Sequence, residues 1–354
     1  MILMSKRILA AACAAATALA LSACSPSAST GGKASKDGTL TVMASFYPLK
    51  YLAEKVGGEH VTVTSLTPDG AEPHDLELSP KMVDSLASAD AVVYLAGFQG
   101  AVDEAIEQHA PTTVIDVSSA AQLVAIDSTS NHPGEDGGTD EAQSGEAQSG
   151  KAQSGEAADH DHEGHEHEGH DHEHADHDHH HDMSMDPHFW LDPARMANAA
   201  TLVGDKLAEA DPTNAETYKA NAQALNKELT SLGDSLVTKT STCQIKTFVT
   251  AHTAFGYLAD RTGLTQVGIS GLDPESSPSP ARLAEIGKIA KDQGVTTIFT
   301  EALIDPKVAQ TLADDLGIST AVLDPIESQT DSSKDYAAVM NDNIDALTKA
   351  NNCQ

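Results

Sequence analysis

Strand-like and helix-like segments alternate in two blocks of this chain, and a stretch with almost nothing apolar interrupts the first. Residues 39–46 (TLTVMASF) alternate and are rich in β-formers, which predicts a strand. Residues 48–56 place Leu49, Leu52, Ala53 and Val56 on one helical face, ended by Gly57 and Gly58. Segments 61–66, 91–95 and 113–117 read as further strands, and 81–89 and 102–109 as helices. Ser79 supplies an N-cap and Pro80 the first helical position of the earlier of these two helices.

After the interruption, Asp192 and Pro193 start a helix through Met196, Ala199, Ala200, Val203 and Leu207. Asp211 and Pro212 open a second one reaching about Val237, with Tyr218, Leu225, Leu229, Leu232 and Leu236 apolar. At 1.5 Å per residue it would span roughly 38 Å, long enough to join two lobes. Strands at 246–251, 266–269, 296–300 and 320–323 then alternate with helices at 255–262, 280–293, 306–316 and 335–350. Such alternation predicts an α/β protein with two parallel-sheet lobes joined by the long helix.

This pattern sets the expected domains. Residues 1–23 read as a signal peptide, with Lys6 and Arg7 ahead of a short Ala-rich apolar run. The Leu-Ser-Ala-Cys stretch ending at Cys24 resembles a bacterial lipobox, which implies lipidation of Cys24 and anchoring on the extracytoplasmic face of the membrane. Residues 24–37 read as a tether, 38–210 as the first lobe with an insert at 127–182, 211–241 as the linking helix and 242–354 as the second lobe. Cys13 leaves with the signal. Cys243 and Cys353 remain in a compartment that permits a disulfide between them, two free thiols being the alternative.

Charge changes the picture locally. The chain has 354 residues and a net charge of −32. Residues 127–186 alone hold 18 acidic side chains and one lysine, so about half of the charge lies in one stretch. No basic stripe is offered to phosphates, which argues against a nucleic-acid partner, and the acidity suits a cation. From His160 to His181, 11 of 22 residues are His, and most of the others are acidic. With so little to bury, the insert is expected to be a disordered surface loop.

The candidate chemistry lies elsewhere. His74 follows the strand at 61–66, His188 follows the insert, His252 follows the strand at 246–251, and Asp324 and Glu327 follow the strand at 320–323. Ligands of open α/β sheets bind beyond the carboxyl ends of strands, so these residues can reach one crevice. Imidazole nitrogen and carboxylate oxygen suit tetrahedral Zn2+, and such a site would also take Cu2+ or Ni2+. His60, in a turn, and His109, at a helix end, read as solvated.

Five stretches carry a resemblance: SFYPLKYLAEKVGG (45–58), EPHDLELSP (72–80), DPHFWLDP (186–193), AHTAFGYLADRTGL (251–264) and VLDPIES (322–328). Together they are similar to the zinc-binding solute receptors of bacterial ABC transporters, a family with manganese-binding members and proteins once called adhesins. The resemblance implies two α/β lobes bridged by one rigid helix, with metal between them held by His74, His188 and His252. His at the third position, where manganese receptors carry a carboxylate, favours zinc. For the fourth ligand it favours Glu327, with Asp324, Glu72 and water as competitors.

The His-rich run resembles an insert common in zinc receptors, and its expected role is that of a weak zinc collector. The expectation is therefore a monomeric, membrane-anchored receptor that catalyses nothing and passes Zn2+ to a permease and its ATPase. The alternatives are a manganese receptor, a His-rich surface zinc buffer and a secreted zinc hydrolase.

Overall fold

The computed structural model describes residues 38–109, 111–126 and 184–354. The expected signal, Cys24, the tether and the whole of the insert, with its His-rich run, lie outside them. The first lobe contains β1 (Leu40–Ala44), α1 (Tyr47–Gly57), β2 (Val61–Ser65), α2 (Pro80–Ser88), β3 (Ala91–Tyr94), α3 (Gly100–His109), β4 (Thr113–Asp116) and a one-turn α4 (Ser118–Ala121). Then come α5 (Pro193–Ala210) and the 26-residue α6 (Ala215–Thr240). The second lobe has β5 (Thr247–Thr250), α7 (Gly256–Thr262), β6 (Thr265–Gly268), α8 (Pro280–Asp292), β7 (Thr297–Thr300), α9 (Lys307–Leu316), β8 (Ser319–Val322) and α10 (Tyr336–Ala350).

Each lobe is built on a four-stranded, all-parallel sheet, ordered β2-β1-β3-β4 in the first and β6-β5-β7-β8 in the second. The strand period of two sorts side chains between layers. Val42, Ala44, Ala91 and Val93 face a core that runs on into the second lobe through Phe248, Phe299 and Leu323. Met43 and Val92 face the opposite layer with Leu86 and Ile106, and Val249 and Ile298 do the same with Ile286 and Leu312. Because the two inner faces share one buried core, the lobes are not separately packed bodies.

The long helix α6 lies in that shared core. It packs on α1 and α5 and also on α7 and α10, so it contacts both lobes. Gly204 of α5 makes the α5–α6 contact possible, since a Cβ there would lie 2.4 Å from the Ala222 Cβ. The start of α6 departs from expectation. Asp211 does not cap it. Its Oδ1 accepts from the Thr213 N–H (3.1 Å) and its Oδ2 from Asn214 Nδ2 (2.6 Å) and the Tyr218 hydroxyl (2.9 Å), so a turn intervenes and the helix begins at Ala215.

The other caps follow their chemistry. Ser79, Asp192, Ser279 and Asp335 each accept a main-chain N–H at a helix start, three of them just before a proline. The turn α4 was too short to show a period. Cys243, just before β5, is bonded to Cys353 at the chain end, a separation of 110 residues.

Candidate metal centre

Four side chains converge where the two lobes meet. His74 comes from the loop after β2, His252 from the end of β5, Glu327 from the loop after β8, and His188 from the segment leading into the turn Phe189–Leu191. Their donor atoms all lie within 4.8 Å of one another. Glu327 Oε1 is 3.4 Å from His74 Nε2, 3.3 Å from His188 Nε2 and 3.4 Å from His252 Nε2, and the Nε2 atoms of His74 and His188 are 3.3 Å apart. A tetrahedron with metal–ligand bonds of about 2.0–2.1 Å has edges of about 3.3–3.4 Å, so all four separations match one.

With the rings neutral, hydrogen bonding does not account for this convergence. The Asp186 Oδ1 accepts from both the main-chain N–H and Nδ1 of His188, at 2.9 and 2.8 Å. Glu301 does the same for His252, taking the main-chain N–H at 3.0 Å and Nδ1 at 2.7 Å. A carboxylate only accepts, so both rings carry their proton on Nδ1. In the neutral rings the Nε2 lone pairs are then turned toward Glu327, which is itself an acceptor. His252 Nε2 is buried without a hydrogen-bond partner. A cation, or a proton on each ring, resolves this crowding of acceptors.

The backbone around each group is fixed. The main-chain N–H of His74 donates to Glu72 Oε1 (2.8 Å), and Gln99 Nε2 donates to the Pro73 carbonyl (3.0 Å) and to Thr67 Oγ1 (3.0 Å). Phe98 stands edge-on to the His74 ring at 4.9 Å. His188 and His252 are fully covered, while the His74 side chain keeps 5% exposure and marks the side nearest solvent.

Burial and charge act against each other here. Burial disfavours the Glu327 carboxylate, but contacts from His188, His252 and His74 outweigh it and hold the carboxyl well below the usual range. Burial also opposes charging His252 and His188. Glu301 and Glu327 push the first well above an ordinary histidine, and Asp186 and Glu327 raise the second. For His74 burial prevails and the pKa falls. Glu72 is pushed up to about 8 by burial and then by the Glu327 charge.

The competitors for the fourth position serve the backbone. Asp324 Oδ1 accepts the Ile326 N–H (2.7 Å), and Glu72 holds His74 as described; neither joins the converging four. The sequence reading missed the ring-holding work of Asp186 and Glu301. Asp186 stands two residues before His188. Glu301 gave one weak signal, an acidic residue immediately after a buried strand.

A model of the family described as zinc-uptake complex component A, periplasmic, matches residues 42–350. The chain belongs to this family. The zinc-binding lipoprotein AdcA of Streptococcus pneumoniae is 32% identical over 321 residues, covering 88% of this chain and 56% of AdcA. The chain thus spans a little over half the length of that relative. The high-affinity zinc uptake system protein ZnuA of Bacillus subtilis is 32% identical over 337 residues, 94% of each chain. The crystal structure of the Zn(II)-bound ZnuA-like domain of S. pneumoniae AdcA superposes with a TM-score of 0.65 at 27% identity, covering 89% of this chain and 99% of that one.

Proposed function

We propose that this protein is an extracytoplasmic zinc receptor that captures Zn2+ between its lobes through His74, His188, His252 and Glu327. It delivers the ion to an ABC permease driven by a cytoplasmic ATPase, and it is a solute receptor, not an enzyme. The observation that carries this reading is the convergence of three imidazole nitrogens and one carboxylate oxygen within 4.8 Å of one another, with four of the six separations at tetrahedral edge length. Three nitrogens to one oxygen suits zinc better than manganese, which prefers more carboxylate oxygen. Membership of a zinc-uptake family and the Zn(II)-bound relative support the same ion.

Cys24 is the proposed lipid anchor, in keeping with a relative named as a lipoprotein. The run from His160 to His181, with 11 histidines in 22 residues, acts as an auxiliary collector that binds zinc more weakly than the closed site.

Competition titration of Zn2+ on three forms lacking residues 1–24 tests the reading. These are the parent, a deletion of 160–181, and that deletion carrying H252A. One tight zinc is expected in the first two and its loss in the third. Loss of all tight binding on deletion would instead make the protein a His-rich zinc buffer.

A further inference from the structure

Glu327 reaches the site from a loop with an unusual backbone. Ile326 has φ +58°, in the left-handed region that a β-branched residue rarely enters, and it is buried. The second lobe fixes one flank. Asn343 Nδ2 donates to the Asp324 carbonyl (2.7 Å), Asn343 Oδ1 accepts the Asp324 N–H (2.8 Å), and Asp324 Oδ1 accepts the Ile326 N–H (2.7 Å).

The first lobe holds the rest. The Trp190 indole N–H donates to the Pro325 carbonyl at 2.7 Å, and the Gly70 N–H donates to Ser328 Oγ at 2.6 Å. Glu327 is therefore bracketed by two bonds that cross between lobes. Trp190 has no freedom of its own. It is fully buried, edge-on to Phe46 at 4.9 Å and 5.2 Å from the His188 ring, and its carbonyl accepts the Tyr336 hydroxyl at 2.5 Å.

The two crossing bonds grip the loop on either side of Glu327, at Pro325 and at Ser328. A shift of the loop that draws Glu327 away would leave the buried indole N–H unbonded, which opposes it.

We propose that Trp190 is a positioning residue for Glu327. Its indole N–H holds the Pro325 carbonyl, and with it the loop that carries the carboxylate inward. Glu327 is then a ligand only while the first lobe is seated on its loop. Without the two crossing bonds Pro325 and Ser328 lose their partners together, and the loop is free to draw Glu327 off the ion. The proposal rests on the reading of Glu327 as a zinc ligand.

The chain has a single Trp, so replacing tryptophan with 3-benzothienylalanine deletes only this N–H and keeps the ring shape. The full chain is titrated with Zn2+ against a chelator that leaves only the tightest site loaded, and with Co2+ for its visible spectrum. Expected is a loss of roughly 10–100-fold in zinc affinity, a Co2+ spectrum shifted toward that of E327A, and no further loss when both changes are combined. Affinity within twofold of the parent with an unchanged Co2+ spectrum overturns the proposal, as does a loss that multiplies with that of E327A. An E327A protein that binds like the parent removes the ligand assignment itself, and the proposal with it.

Discussion

Glu301→Gln tests how tightly the site depends on groups that never touch the ion. Glu301 accepts two hydrogen bonds from His252, one from the main-chain N–H at 3.0 Å and one from Nδ1 at 2.7 Å. An amide offers one acceptor oxygen and one donor NH2, so it can serve only one of them. If the oxygen takes the main-chain N–H, the NH2 faces Nδ1 and forces the ring proton onto Nε2, which removes the lone pair aimed at Glu327. If the oxygen takes Nδ1–H, the main-chain N–H is buried against a donor. Zinc selects the second arrangement and must offset its cost.

Loss of such a ring-orienting partner weakens metal binding by roughly 10–100-fold. That is about 1.4–2.8 kcal/mol, at 1.4 kcal/mol per tenfold. The metal-free protein can keep the first arrangement, in which every group is paired, so its stability should fall by less than its zinc affinity does. Competition titration on the form lacking residues 160–181 reads the first quantity and urea unfolding in chelator reads the second. E301Q should fall between the parent and H252A. A zinc affinity within twofold of the parent, in a protein whose H252A variant loses the site, would refute the argument that Glu301 sets the ring.

Zinc binding should release protons from His252 and His188, because both are held above the ordinary histidine range and must become neutral to ligate. Affinity therefore rises with pH through their raised values, about tenfold per proton per unit, and His74, held low, adds a third proton only below its usual 6.5; calorimetry in buffers of different ionisation enthalpy counts them, and a count near zero contradicts the assignment. Reducing the Cys243–Cys353 bond opens a 110-residue loop and should cost up to about 4–5 kcal/mol in urea unfolding. Zinc affinity should survive, because Cys243 precedes β5 while His252 lies past its far end. Gly204→Val drives a side chain into Ala222 on α6 and should destabilise by about 1–3 kcal/mol, read as a lower unfolding midpoint.

What the sequence determined by itself was the set of elements and the places where chemistry could sit. Period-two and period-3.6 patterns, with caps such as Ser79 and Asp192, involve neighbours a few residues apart, so the eight strands and most helices other than α6 were legible within a residue or two. The strand ends put His74, His252 and Glu327 at one edge of each sheet. One local signal misled: Asp211 looked like a helix cap, yet its carboxylate serves a turn and the Tyr218 hydroxyl.

Only the tertiary structure decided which carboxylate faces the histidines and what holds them. Asp324 and Glu327 lie three residues apart on one loop, and the left-handed Ile326 between them turns Glu327 inward while Asp324 serves the Ile326 N–H. Glu301 is 49 residues from His252, and Trp190 is 135 from Pro325. A local pattern records which face of its own element a side chain takes. Bringing donor atoms to 3.3–3.4 Å requires the packing of one lobe against the other, which no window of neighbouring residues contains.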